Sequence, residues 1–210
     1  MDHGYGNDSA EAVLLQRGRA VVAGEARDTA VGDWFGLAGL RFDGRLDRSF
    51  GRRGHRLVGF GRGRHAFAHA LAHSGRGILV AGSAAVEDRA PKVAVARLTY
   101  NGALDRRFGH LLTSPGPHGG SALAVRAHGR RGALVAGRVF TDATYDSSDW
   151  ALLRYTGGGR LDRGFGRAGV VHTDFGTGSD RANALSLTPG RAVAAGEIYS
   201  SLGVARYLTR

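Results

Sequence analysis

An all-β repeat fold is the architecture this sequence predicts, and three periodic markers predict it. The first is a six-residue box, Leu46-Asp47-Arg48-Ser49-Phe50-Gly51. It returns as Leu104-Asp105-Arg106-Arg107-Phe108-Gly109 and Leu161-Asp162-Arg163-Gly164-Phe165-Gly166, at spacings of 58 and 57 residues. The second is Val22-Ala23-Gly24, matched in phase by Val80-Ala81-Gly82, Val135-Ala136-Gly137 and the degenerate Ala194-Ala195-Gly196. The third is an arginine inside an apolar run, at Arg41, Arg97, Arg154 and Arg206. A fixed period of this size marks a repeat architecture. The repeats are expected at approximately 1–60, 61–113, 114–175 and, in part, 176–210, within one domain over 1–210.

Each repeat offers four short segments of strand character. An Ala-rich segment opens it, at Ala10 to Leu15, Ala68 to His73, Ala122 to Ala127 and Ala182 to Leu187. A Gly-bearing turn leads to a second strand, Arg19 to Ala23, Gly77 to Ala81, Ala133 to Ala136 and Arg191 to Ala195, so each pair reads as a β-hairpin. A connection of variable length follows: Glu25 to Asp33, Ser83 to Pro91, Arg138 to Asp149 and Glu197 to Ser201. Variable loops between fixed strands are where binding specificity usually sits. The third strand carries the arginine, at Trp34 to Phe42, Lys92 to Tyr100, Trp150 to Tyr155 and Leu202 to Leu208.

The box reads as a structural corner. Its aspartate accepts from backbone N–H groups a few residues on, its Leu and Phe enter the core, and its Gly takes a backbone angle other residues resist. The corner residues are Asp47, Phe50 and Gly51, then Asp105, Phe108 and Gly109, then Asp162, Phe165 and Gly166. Arg41, Arg97 and Arg154 are expected to pair with Asp47, Asp105 and Asp162 as bidentate salt bridges, leaving Arg206 without a box. The fourth strand is expected at Arg56 to Phe60, Leu111 to Thr113 and Val170 to Phe175, with Pro115-Gly116-Pro117 breaking one copy.

Four short strands per repeat, with Gly turns and no helix, predict a β-propeller-like fold of about four blades of four antiparallel strands, the last blade incomplete. A stacked β-solenoid is the alternative, with generally shorter repeats. The Val-Ala-Gly hairpin, the Ala-Arg-Leu or Leu-Arg-Tyr strand and the Leu-Asp-x-x-Phe-Gly box together resemble the delta-60 repeat family of bacterial β-propeller proteins. The first copy departs from the pattern, since Arg41-Phe42-Asp43-Gly44-Arg45 is two residues shorter before its box. The resemblance implies a repeat scaffold in exported or cell-surface bacterial proteins, with no assigned catalysis. No complete ring is expected from these repeats. A piece of a longer product, or partial closure, is expected ahead of edge-to-edge pairing with another copy.

Composition narrows the function classes. The 35 glycines far exceed the usual share of roughly 7% and recur in phase with the repeat, as turn and bulge positions do. The net charge of +11 comes almost entirely from arginine, with Lys92 the only lysine. No block of five or more like charges and no basic stretch interleaved with aromatics is present, which argues against nucleic acid. The absence of cysteine excludes disulfides and thiolate metal sites. No apolar run has the length of a spanning helix, and the first residues do not read as a secretory signal.

Candidate sites are few. Glu11, His69 and Asn183 fall at equivalent positions of three Ala-rich strands, with Leu123 in the other, and form a candidate ligand ring at a central channel. Asp142, Asp146 and Asp149 are a weak calcium candidate. His65, His69 and His73 lie four apart, but on a strand that spacing is too long to share an ion. No cofactor and no catalytic set are expected. The reading is a non-enzymatic scaffold or binding module presenting variable loops to a protein, a glycan or a surface polymer. The alternative is a channel-sited hydrolase or lyase acting on a sugar or anionic substrate, which an acidic pair converging in the channel would favour.

Overall fold

The structure, a computed structural model, describes residues 8–16, 18–28, 32–75, 77–86, 89–130, 132–176 and 178–209. Those residues form fifteen strands and no helix. In chain order they are β1 (Ser9–Gln16), β2 (Arg19–Asp28), β3 (Gly32–Leu40) and β4 (His55–Val58); β5 (Arg64–Ser74), β6 (Gly77–Val86), β7 (Lys92–Thr99) and β8 (His110–Thr113); β9 (Gly120–His128), β10 (Gly132–Phe140), β11 (Ser148–Tyr155) and β12 (Val170–Thr173); and β13 (Arg181–Thr188), β14 (Arg191–Ile198) and β15 (Ser201–Leu208).

Hydrogen bonding assigns the strands to three mostly antiparallel sheets: an eight-stranded sheet from β1 to β8, a four-stranded sheet from β9 to β12, and a three-stranded sheet from β13 to β15. The eight-stranded sheet is two antiparallel meanders joined only by the parallel pair Gly32 and Arg64. The chain therefore runs as four successive meander units, the fourth with three strands among the described residues. Among the described residues they do not form a closed propeller: the main contacts run from each unit to the next, and apolar side chains of β1 and β15 stand in solvent.

Three apolar layers fill the gaps between successive units. The first gathers Val21, Ala23, Phe35 and Leu37 with Ala66, Ile78, Val80 and Ala96. The second gathers Leu79, Ala81, Val93 and Val95 with Val125, Val135, Leu153 and Tyr155. In the third, Leu134, Ala136, Trp150 and Leu152 meet Ala182, Leu185, Ala192 and Ala194. The two inner units are covered on both faces, which is why Ile78-Leu79-Val80-Ala81 and Leu134-Val135-Ala136 are unbroken apolar runs rather than alternating ones.

The Gly of the Val-Ala-Gly marker follows from a β-bulge. The first hairpin of every unit slips register at one point, between Ala10 and Ala12, Ala68 and Ala70, Ala136 and Gly137, and Ala182 and Ala184. The slip pushes a first-strand carbonyl against the marker glycine of the partner strand. A Cβ on Gly24, Gly82, Gly137 or Gly196 would lie 2.1, 1.8, 2.0 or 2.0 Å from the carbonyl oxygen of Ser9, Phe67, Ser121 or Arg181. Only glycine fits there.

Two boundaries differ from the sequence expectation. The second strands continue past the marker glycine to Asp28, Val86, Phe140 and Ile198, because backbone pairing with the third strand goes on where the side-chain pattern turns polar. Much of the expected variable loop is thus strand, and the rest of the first loop lies outside the described residues. Pro115-Gly116-Pro117 breaks nothing, since β8 ends before it at Thr113 and is four residues long, as are β4 and β12.

Candidate functional site

The box corners tie one unit to the next. Asp105 Oδ1 accepts from the backbone N–H groups of Arg107 (2.9 Å) and Phe108 (3.2 Å). Asp47 and Asp162 accept likewise from Ser49 (3.0 Å) and Gly164 (3.1 Å). Gly51, Gly109 and Gly166 adopt φ of 55, 75 and 53°, the left-handed region that suits glycine. Phe50, Phe108 and Phe165 are buried, and Leu104 and Leu161 pack against the core, but Leu46 stays exposed.

The other carboxylate oxygen receives the arginine. Arg97 Nε is 2.9 Å from Asp105 Oδ2 and Arg154 Nε is 2.9 Å from Asp162 Oδ2. The rest of each guanidinium crosses to the next unit. Arg97 Nη2 donates to Gly157 O at 3.2 Å and Arg154 Nη1 to Thr209 O at 3.1 Å, with Phe108 and Phe165 rings beneath the charges at 4.7 and 4.8 Å.

The first unit corrects the expectation for Arg41. The β2–β3 pairing sets Gly24 opposite Gly36, as Gly82 is set opposite Ala94, so Gly39 and not Arg41 occupies the arginine position. Arg41 is exposed and no nearer than 4.0 Å to Asp43. Asp47 pairs instead with Arg19 Nη1, at 3.0 Å, from the neighbouring strand β2. A Cβ at Gly39 would sit 2.6 Å from Phe50 Cβ, so the phenyl group takes the space. The first copy is therefore not shortened before its box, since Asp47 follows Gly39 by eight residues as Asp105 follows Arg97; Arg41 lies two positions beyond the tie position, and a different strand supplies the charge.

Hydrogen bonds from Ser49 hold the Asp47 carboxyl below its ordinary value. At Asp105 burial pushes the other way, and Arg97 with the two backbone donors outweighs it. Both corners therefore favour the native state above the ordinary carboxylate value of 3.8, and that contribution is lost as pH falls through the depressed native value.

The opposite end of the sheets carries the polar groups that can engage a partner. Glu11, His69, Leu123 and Asn183 are the residues at the four bulges. Glu11 and His69 feel each other's charge, and Arg138 opposes the protonation of His69, whose pKa is lowered by burial first of all. Asn183 does not join them: it lies exposed in a groove on the outer face of the last sheet. The three do not make one ring.

The residues following the marker glycine matter more: they fall in the variable connections expected to carry specificity, where the sequence pattern singles out none of them, and Glu25, Arg138 and Glu197 lie on strands rather than in loops. Glu25 hydrogen-bonds Asp33, and its pKa is raised by burial and by that neighbour. Asp33 is itself buried, with His65 Nδ1 at 2.5 Å from Oδ2 and Arg27 Nε at 3.6 Å from Oδ1. Further round, Arg181 grips Glu197 Oε2 through Nη2 (2.7 Å) and Nε (2.8 Å). Beside that pair lies Arg138, half-buried over the Phe140 ring at 4.7 Å, its pKa lowered by burial and by Arg181. Among the described residues, the buried Arg138 Nε meets no hydrogen-bond partner. An unsatisfied guanidinium N–H next to a second arginine is a place for an anionic group.

The calcium candidate does not assemble. Asp142 spends its oxygens on its own loop, accepting from Thr144 N (3.0 Å), Thr144 Oγ1 (2.8 Å) and Ser147 N (2.9 Å), which lowers its pKa to about 2. Asp149 sits on β11, its pKa raised by burial and by Asp174 and Asp180. Among the described residues no group of three His, Cys, Asp or Glu side chains could hold a metal ion, the β5 histidines included.

His69 gives a pH prediction. The native state refuses a proton that the unfolded chain binds below about 6.5, so stability is expected to fall as pH drops through that value toward the depressed native one. Urea titrations on either side of pH 6.5 check this, and His69→Gln should flatten that slope. An unchanged slope in the variant would assign the dependence elsewhere.

No protein-family model matches the chain, and neither the curated proteins nor the solved structures contain a significant match.

Proposed function

We propose that the chain is a non-enzymatic binding module on a propeller-type repeat scaffold of the delta-60 kind, its units being blades of an open stack. Its strand-turn end, around Arg138 and Arg181, takes an anionic group of a protein or surface polymer. The observation that carries this reading is the buried, unpartnered Nε of Arg138 beside Arg181. Burying a guanidinium without full hydrogen bonding costs stability, and a ligand oxygen would satisfy it. Titration calorimetry with polygalacturonate, an acidic polysaccharide, tests the reading. Salt-sensitive binding that Arg138→Gln weakens by about tenfold or more is expected, the size of a charge-assisted hydrogen bond. Binding indifferent to that substitution would refute it.

A hydrolase or lyase is the second reading, and the Glu25–Asp33 acid pair favours it. A proton shared between two carboxyls is a known acid–base device. Two features weigh on the structural side. The pair is in hydrogen-bond contact, whereas glycoside hydrolysis uses carboxyls about 5–9.5 Å apart. Asp33 also has His65 and Arg27 against its oxygens, as an internal ion network does. Turnover of a polysaccharide that Asp33→Asn abolishes in a folded variant would establish the enzyme instead.

A further inference from the structure

The two outermost sheet faces are the unpaired halves of an interface that the chain makes three times internally. Strand register defines the equivalence, with Gly24, Gly82, Gly137 and Gly196 facing Gly36, Ala94, Ala151 and Gly203 across the second and third strands. Val204 then corresponds to Leu37, Val95 and Leu152, which are all 0% exposed because the next unit covers them. Val204 itself is 63% exposed. Leu202 is 83% exposed where Phe35, Val93 and Trp150 are each at 0%. Val193 is open where Val21, Leu79 and Leu134 are fully buried.

The first sheet shows the converse. Val13, 65% exposed, corresponds to Leu71, Val125 and Leu185, each buried against the preceding unit. Leu15 and Leu57 stand open beside it. One outer face therefore has the side chains of a surface awaiting a following unit, and the other those of a surface awaiting a preceding one.

We propose that these faces dock on each other between two copies of this chain, head to tail. The first sheet of one copy covers the last sheet of another. The contacts follow from the third internal layer, where Ala182 and Leu185 enter among Ala124, Ala136 and Trp150. Their counterparts on the incoming copy are Ala10 and Val13. The receiving surface is the groove of about 670 Å³ lined by Ala184, Ala195 and Leu202. Arg206, exposed on that face, corresponds to Arg97 and Arg154, which donate to the backbone of the next unit at Gly157 and Thr209. Its acceptor on the incoming copy is the carbonyl of Phe42, the residue in the same register position. The interface is heterologous, so repetition gives a ring or a filament.

Sedimentation velocity over a concentration series tests the proposal with Leu202→Arg, which blocks the receiving face, and Val13→Arg, which blocks the inserting face. Both sites are solvent-exposed, and far-UV circular dichroism checks that each variant keeps the wild-type fold. If a variant unfolds, Leu202→Ser or Val13→Ser replaces it. The wild type is expected to grow in mass with concentration, and each variant alone to be monomeric. A mixture of the two variants should form a dimer and nothing larger, since only one competent pair of faces remains. Arg206→Ala should weaken the wild-type assembly. A single variant that still dimerises would show like faces pairing and overturn the head-to-tail geometry. A wild type that stays monomeric at every concentration would overturn the proposal altogether, whether closure within the chain or a further unit covers the faces.

Discussion

Gly82→Ala is expected to destabilise the protein by about 3 kcal/mol or more, enough to unfold a marginal domain. A Cβ at this position would lie 1.8 Å from the carbonyl oxygen of Phe67 and 3.0 Å from the Cα of Ala68. Neither atom belongs to a side chain that can swing aside. Relief would require the bulge to open, and the bulge sits between β5 and β6, whose Ala66, Ala68, Ile78 and Val80 fill the first apolar layer. Gly158→Ala is the matched control. Its Cβ would meet nothing nearer than 4.0 Å, and it does not adopt the left-handed conformation, so a change within about 0.5 kcal/mol is expected. Denaturant titrations of the two variants decide the matter. Equal stabilities would mean that the marker glycine is not held by the bulge.

That glycine also shows how far the repeat was legible. Its recurrence in phase identified a bulge or turn position from sequence alone, and the strand count followed from the hydrophobic runs around it. The extension of β2, β10 and β14 beyond it was not legible, because Glu25, Arg138 and Glu197 are polar and break the apolar pattern while their backbones go on pairing. The polar cluster therefore fell into what looked like loop. Glu25 and Asp33 are eight positions apart in sequence, and only the antiparallel return of β3 brings them together. The candidate ring failed for a related reason. Glu11, His69 and Asn183 are equivalent within their units, but a closed ring would be needed to bring all three to one axis, and the stack is open at the face where Asn183 lies.

The arginine ties give the second large effect, and they separate a register argument from a pattern argument. Arg97→Ala is expected to cost about 3 kcal/mol, the low end for breaking a buried ion pair. Arg97 is 3% exposed, so its loss leaves a void over the Phe108 ring and removes the donor to Gly157 O. The remaining partner softens the loss, because Asp105 keeps 32% of its side chain in water and can hydrate its charge. Arg19→Ala should behave in the same direction through Asp47, although Arg19 lies over Phe50 at a longer 6.0 Å and is 15% exposed, so about 1–2 kcal/mol is expected. Arg41→Ala should change stability by less than about 0.5 kcal/mol, as exposed pairs do. The three arginines would be ranked otherwise by sequence, where Arg41 carries the marker and Arg19 is an ordinary strand-opening residue. A chemical-denaturation series on the three arginine variants, on Asp47→Asn alone and on Arg19→Ala combined with Asp47→Asn measures both the ranking and the pairing. Coupling between Arg19 and Asp47 is expected in the cycle. If Arg41 proved as costly as Arg97, Gly39 would not hold the tie position, and the β2–β3 register would be wrong.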